Sequence, residues 1–178
     1  MHDAEPTLEV TDGRASISMS FDDLLRYHGR DSIGGLALGF KALELGLPLL
    51  SPGAPPERRD ITVQTAFDGP GSRDAFEMAT RAVTEDRYRL VPELARPGAP
   101  EAPQGHFVFR LVHRGSMVDL TLRPGLVGAD FVGLVRRGPQ TPAEEELLVR
   151  MKEELAARIL ALPADEVYEV CGSAVSDT

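Results

Sequence analysis

Three glycines fall within six residues of one apolar stretch, "SIGGLALGFKALELG", at positions 34, 35 and 39. Around them Leu36, Ala37, Phe40, Leu43 and Leu45 supply the apolar content of a helix expected from about Ile33 to Leu45. Ser32 is placed to cap this helix, and Gly46 and Pro48 are placed to stop it. Each glycine inside a helix costs about 1 kcal/mol relative to alanine. Three in six residues need a compensating reason, and the physical one is close approach of another backbone or of a ligand.

The flanking segments supply the elements that would make that approach. Upstream, "LEVTDGRASISM" at 8–19 alternates loosely around a turn-like "TDGR" and predicts a short hairpin, or an arm that packs on a partner. In "SFDDLLRYHG", Ser20 and Asp23 have capping-box spacing and Phe21, Leu24, Leu25 and His28 share a helical face, with Gly29 ending the helix. Downstream, "SPGAPPERRD" reads as a surface loop. "ITVQTAF" alternates as a strand with Ile61, Val63 and Thr65 on one face. The turn "DGPGS" then leads into a third helix, "RDAFEMATRAV". That order of strand, glycine-rich turn and helix aims backbone N–H groups at the space above the turn.

Farther along, "DRYRLV" suggests a short strand and "PELARPGAPEAPQG" a mobile loop. "HFVFRLV" and "MVDLTLR" flank "HRGS" as a hairpin. In "TPAEEELLVRMKEELAARILALP", Thr141, Pro142 and Glu144 make a helix start, and Leu148, Met151, Leu155, Ile159 and Leu162 make its buried stripe. "EVYEV" is expected to add an edge strand. The sum is an α+β fold, an antiparallel or mixed sheet with helices packed on it. It divides into an N-terminal arm or hairpin (1–19), a main domain (20–170) and a disordered tail (171–178).

Composition narrows the function classes. The chain has 178 residues and a formal net charge of −9, which disfavours a nucleic-acid partner. Of its 19 basic residues only Lys41 and Lys152 are lysines. Cys171 is the single cysteine, which excludes an intramolecular disulfide and any site built from several thiolates. The acidic N-terminus lacks the apolar region of a secretory signal. No stretch is expected to serve as a membrane span, which needs roughly 18–20 apolar residues. A cytoplasmic protein without a membrane partner is the expectation.

Two segments resemble motifs of the FmdE-like family, named for a component of formylmethanofuran dehydrogenase. "YHGRDSIGGLALGFKALELG" is similar to its opening motif, an aromatic residue followed by His-Gly-His, a cysteine-containing turn and a glycine-bearing apolar helix. "TAFDGPGSRDAFEMATRAV" resembles its second motif, in which a strand runs into a cysteine turn and an aspartate opens the next helix. The likeness extends through the hairpin to "DEVYEV", over roughly residues 20–170, and implies an α+β homodimer with a Cys/His metal site where the two motifs meet. Tyr27, His28, Gly29 and Asp74 match. Arg30 stands where the family has its second histidine, Ser32 and Ile33 replace the first cysteine-proline, and Gly71 lies near the second cysteine position. With the thiolates gone, His28 remains with Asp68 and Asp74 as possible oxygen ligands, and no tightly bound zinc is expected.

The residues themselves leave alternatives open. His28 is either a helix-end histidine packed on the third helix or a pocket residue. Arg30 is a solvated or ion-paired arginine, or a fork for a carboxylate or phosphate. Asp68 and Asp74 suit helix caps. The expectation is that a small anionic or polar metabolite or cofactor binds in a pocket formed by Tyr27, His28, Arg30, Ser32, Asp68, Ser72 and Asp74. The alternatives are a metal-dependent enzyme using His28, Asp68 and Asp74, and a structural accessory protein without a ligand. The cofactor, and whether any reaction is catalysed, stay open.

Overall fold

The computed structural model describes residues 5–174, which begin with a two-stranded hairpin of β1 (Leu8–Asp12) and β2 (Ala15–Met19). The hairpin finds its partner within the chain: Leu8, Val10 and Met19 are buried, and β1 packs on α2 (Ile33–Leu50). Of the two expected alternatives the hairpin is present; residues 1–4 of the expected arm lie outside the described residues. Next comes α1 (Phe21–His28), closed at its start by the expected capping box. There the Asp23 carboxylate accepts the Ser20 N–H at 2.9 Å. Gly29 ends the helix at φ +84°, a conformation that favours glycine.

The second helix is longer than its sequence signals suggested. It runs through Gly46 and Pro48 to Leu50. Pro48 removes one N–H from the last turn, but Leu43, Leu47 and Leu50 are buried there, and that burial outweighs the lost bond. Gly46 is a contact point rather than a stop. A Cβ on it would lie 2.5 Å from Leu111 Cδ1 of the sheet. The helix also has the length and mean hydropathy, 1.5, of a membrane span, contrary to the expectation that no stretch would. With 72% of it buried inside the protein, it is the central core helix.

β3 (Ile61–Phe67) turns directly into α3 (Pro70–Thr80), which therefore starts inside the segment read as a turn. β4 (Tyr88–Leu90) pairs parallel to β3. The following stretch is more structured than the mobile loop expected. It holds a 3-10 turn at Pro92–Leu94 and β5 (Glu101–Ala102). Arg96 ties it to the sheet by donating to the Asp119 carboxylate at 2.5 Å, and Arg110 grips the same carboxylate at 2.6 and 2.8 Å. β6 (Gly105–His113) and β7 (Ser116–Leu122) form the expected hairpin, with Arg114 and Gly115 both at positive φ in its turn.

α4 (Ala129–Arg137), which the pattern reading missed, precedes α5 (Pro142–Ala161). Thr141 caps α5, but the Glu144 carboxylate accepts from the Gln140 N–H and so does not complete the expected box. Of the expected stripe only Leu155 and Ile159 are fully buried. The first half of α5 packs against α4, whose one buried residue is Leu134. A single turn, α6 (Ala164–Val167), leads into β8 (Tyr168–Ala174). Residues 171–174 are thus strand rather than tail, and 175–178 lie outside the described residues. The fold is α+β. Its main sheet has the order β4-β3-β6-β7-β8 with β5 on the start of β6, and all pairs except β3–β4 are antiparallel.

Candidate functional site

The close approach that the glycines demanded is between helices. A Cβ on Gly39 would lie 2.7 Å from Ala75 Cβ and 2.9 Å from Ser72 Cα, so α2 and α3 cross at this glycine. One turn earlier the contact is backbone on backbone. A Cβ on Gly71 would meet Ser32 O at 2.4 Å and Leu36 N at 2.5 Å. Gly34 serves a different neighbour, the Leu155 side chain of α5. The starts of α2 and α3 are thereby pressed together, with α5 beside them.

A cavity of about 180 Å³ opens at this junction. The starts of α2 (Ser32, Gly34, Gly35) and α3 (Gly69 to Gly71) form one side. Phe67 and Phe107, stacked with ring centroids 4.1 Å apart, form the aromatic wall. Gly69 is needed for that wall, because a Cβ there would strike the Phe67 ring. Ala102 and Gln104 come from the segment before β6, and Phe131, Val132 and Val135 from α4. Lys152 of α5 completes the lining and is the only charged residue in it among the described residues. Neither helix start carries a side-chain cap: Ser32 makes no cap hydrogen bond, and Gly69 has no side chain to make one. The N–H groups of a first helical turn have no partner within the helix.

The residues singled out from the sequence separate into groups. His28 and Asp74, 46 positions apart, meet: His28 Nδ1 lies 2.7 Å from Asp74 Oδ2. The His28 side chain is only 7% exposed, and its Nε2 is buried without a hydrogen-bond partner. Asp74 is therefore an α3 residue that orients an imidazole, and not a cap. Such a pair sets the tautomer and ring direction of a histidine. The cavity, however, reaches neither residue. Ser32 and the glycines of "DGPGS" line it, whereas Tyr27, His28, Arg30, Asp68, Ser72 and Asp74 do not. Of the seven residues expected to share one pocket, Ser32 alone lines this cavity.

Each of the others has a visible place. Tyr27 is 53% exposed. Arg30 points to solvent and pairs at 3.4 Å with Glu153 of α5. Asp68 is exposed, and its backbone N–H donates to the Gln104 carbonyl. The Asp68 charge, after burial, helps hold the neighbouring Tyr88 phenol above its usual range. Ser72 is buried and its hydroxyl donates to Gly69 O at 3.1 Å.

The donor set does not fit the metal that the family resemblance implied. Nδ1 of His28 is occupied by Asp74, Asp68 is on the surface, and the described residues contain no group of three or more His, Cys, Asp or Glu able to hold an ion. Sequence reasoning missed the aromatic wall, α4 and Lys152. Only Lys152 had a signal, as one of two lysines in an arginine-rich chain. Comparison of the chain with protein-family models and with curated proteins finds no match.

Proposed function

We propose that this protein binds a small molecule in the cavity between the starts of α2 and α3, the Phe67–Phe107 wall and α4. On this reading it is a degenerate relative of the FmdE-like family, without that family's thiolate metal site. The observation that carries the binding role is the cavity itself. It is mostly apolar, with Ser32, Gln104 and Lys152 as its polar side chains. Concave, apolar sites with a few convergent polar groups are the ordinary form of a small-molecule site. A void of roughly 150 Å³ already accepts a benzene-sized guest, so about 180 Å³ suits a single ring or a short branched chain.

A thermal-shift screen of single-ring and short-chain compounds tests the proposal. A ligand at a hundred times its Kd stabilises by about 2.7 kcal/mol, which raises Tm by roughly 5–10 °C in a chain of this size. Ala102 is buried in the cavity wall, and Ala102→Phe fills the space. A stabilising compound whose effect disappears in that variant supports the site. A stabilising compound whose effect survives binds elsewhere and refutes it.

A further inference from the structure

The charge of the lining says more than its size. The chain carries 28 acidic residues against 19 basic ones, yet among the described residues no aspartate or glutamate lines the cavity and one cation does. That cation is held in place. Lys152 Nζ donates to the Asp31 carbonyl at 2.7 Å, immediately before the start of α2. An ammonium has three donors, so two remain after this bond. The anchor sets the ammonium beside Ser32, whose hydroxyl caps nothing, and beside the first turn of an 18-residue helix. Lysine, hydroxyl and helix start all favour negative charge at the same end of the cavity. The aromatic part of the lining, Phe67, Phe107 and Phe131, offers no polar side chain.

Resting on the binding role proposed above, we infer that the ligand is a monocarboxylate with a compact aromatic or branched apolar body, its carboxylate at Lys152 and Ser32 and its body against the phenylalanines. One fixed ammonium balances one negative charge. A phosphate dianion would bring a second charge into a mostly apolar cavity with no second cation to meet it.

The probes are phenylacetate, its neutral isostere phenylacetamide, the cation phenethylamine, and inorganic phosphate, each titrated calorimetrically into the full-length protein. Phenylacetate is expected to bind at least about tenfold more tightly than phenylacetamide, in line with the greater strength of charge-assisted hydrogen bonds. Phenethylamine and phosphate are expected not to bind measurably. Lys152→Gln keeps a donor for the Asp31 carbonyl and removes the charge. It should erase the tenfold preference, so that phenylacetate binds no more tightly than phenylacetamide to the variant. Equal binding of acid and amide, or a preference that survives Lys152→Gln, overturns the head-group assignment and leaves the cavity standing. Binding of both that persists in Ala102→Phe overturns the cavity reading and this inference with it, whereas binding of neither overturns this inference and leaves the cavity to the wider screen. Phosphate binding that is lost in Lys152→Gln replaces the carboxylate with a phosphate ligand.

Discussion

Replacing Gly71 with alanine tests the junction on which both the packing and the cavity depend. The added methyl would sit 2.4 Å from Ser32 O, 2.5 Å from Leu36 N and 2.8 Å from Gly35 C. All three are backbone atoms at the start of α2, so no side chain can turn aside, and the two helices must move apart. Overpacking of this kind typically costs about 1–3 kcal/mol. It is opposed by the propensity gain of alanine over glycine, at most about 1 kcal/mol and smaller in a first turn. The net expectation is a loss of about 1–2 kcal/mol, or a fall in Tm of roughly 2–8 °C. Two controls separate packing from propensity. A Cβ on Gly35 lies 3.5 Å from Gly71 Cα, an ordinary contact, so Gly35→Ala should be neutral or slightly stabilising. Gly133 in α4 has open space around its Cβ position, so Gly133→Ala should gain about 0.5–1 kcal/mol. Urea denaturation with linear extrapolation measures all three. A Gly71→Ala variant as stable as the parent, or as stable as Gly35→Ala, would refute the close-contact argument.

Three further outcomes are expected. Asp74→Ala strips the buried His28 imidazole of its carboxylate partner and should cost about 1–3 kcal/mol, whereas His28→Phe leaves Asp74, 29% exposed, to water and should cost less; urea midpoints that rank them the other way contradict this. Burial, and then the charge of Arg114, holds the His113 pKa below its ordinary 6.5, so the unfolded chain takes up this proton before the folded one does. The stability tied to His113 is complete above that value and declines as pH falls through it toward the lower folded pKa, and His113→Leu should flatten the decline in a pH series of denaturation curves. The Tyr88 hydroxyl is buried without a partner, so Tyr88→Phe should be neutral or gain up to about 1 kcal/mol in the same assay; a clear loss of stability would point to a bond that the geometry does not contain.

Local rules reached far into this fold. Ser20 with Asp23, Thr141 with Pro142, the alternation of 61–67 and the paired strands at 105–122 are short-range signals, and each element appears where its signal lies. The glycines at 34, 35 and 39 announced a close approach because their cost is intrinsic to the helix. What they met was not written beside them. Gly39 and Gly71 are 32 positions apart, and only packing shows that one faces Ser72 and the other Ser32. The same holds for Gly46, whose local reading as a helix stop lost to burial of Leu47 and Leu50. α4 was overlooked because no side chain caps its start at Gly128 and Gly133 interrupts its short run of apolar residues.

The candidate site divides along the same line. The sequence named the segments at 27–32 and 68–74, and one pairing that it suggested, His28 with Asp74, is present at 2.7 Å. It could not show that the imidazole turns inward while the cavity lining includes neither His28 nor Asp74. Nor could it bring Lys152 to Asp31 across 121 positions, or stack Phe67 on Phe107 across a strand pairing. The capping box of α1 and the hairpin turns depend on neighbours a few residues apart, so the chain alone determined them. A cavity is the space left between elements brought together by burial of their apolar faces, and its lining was decided only when β3, α2, α4 and α5 met.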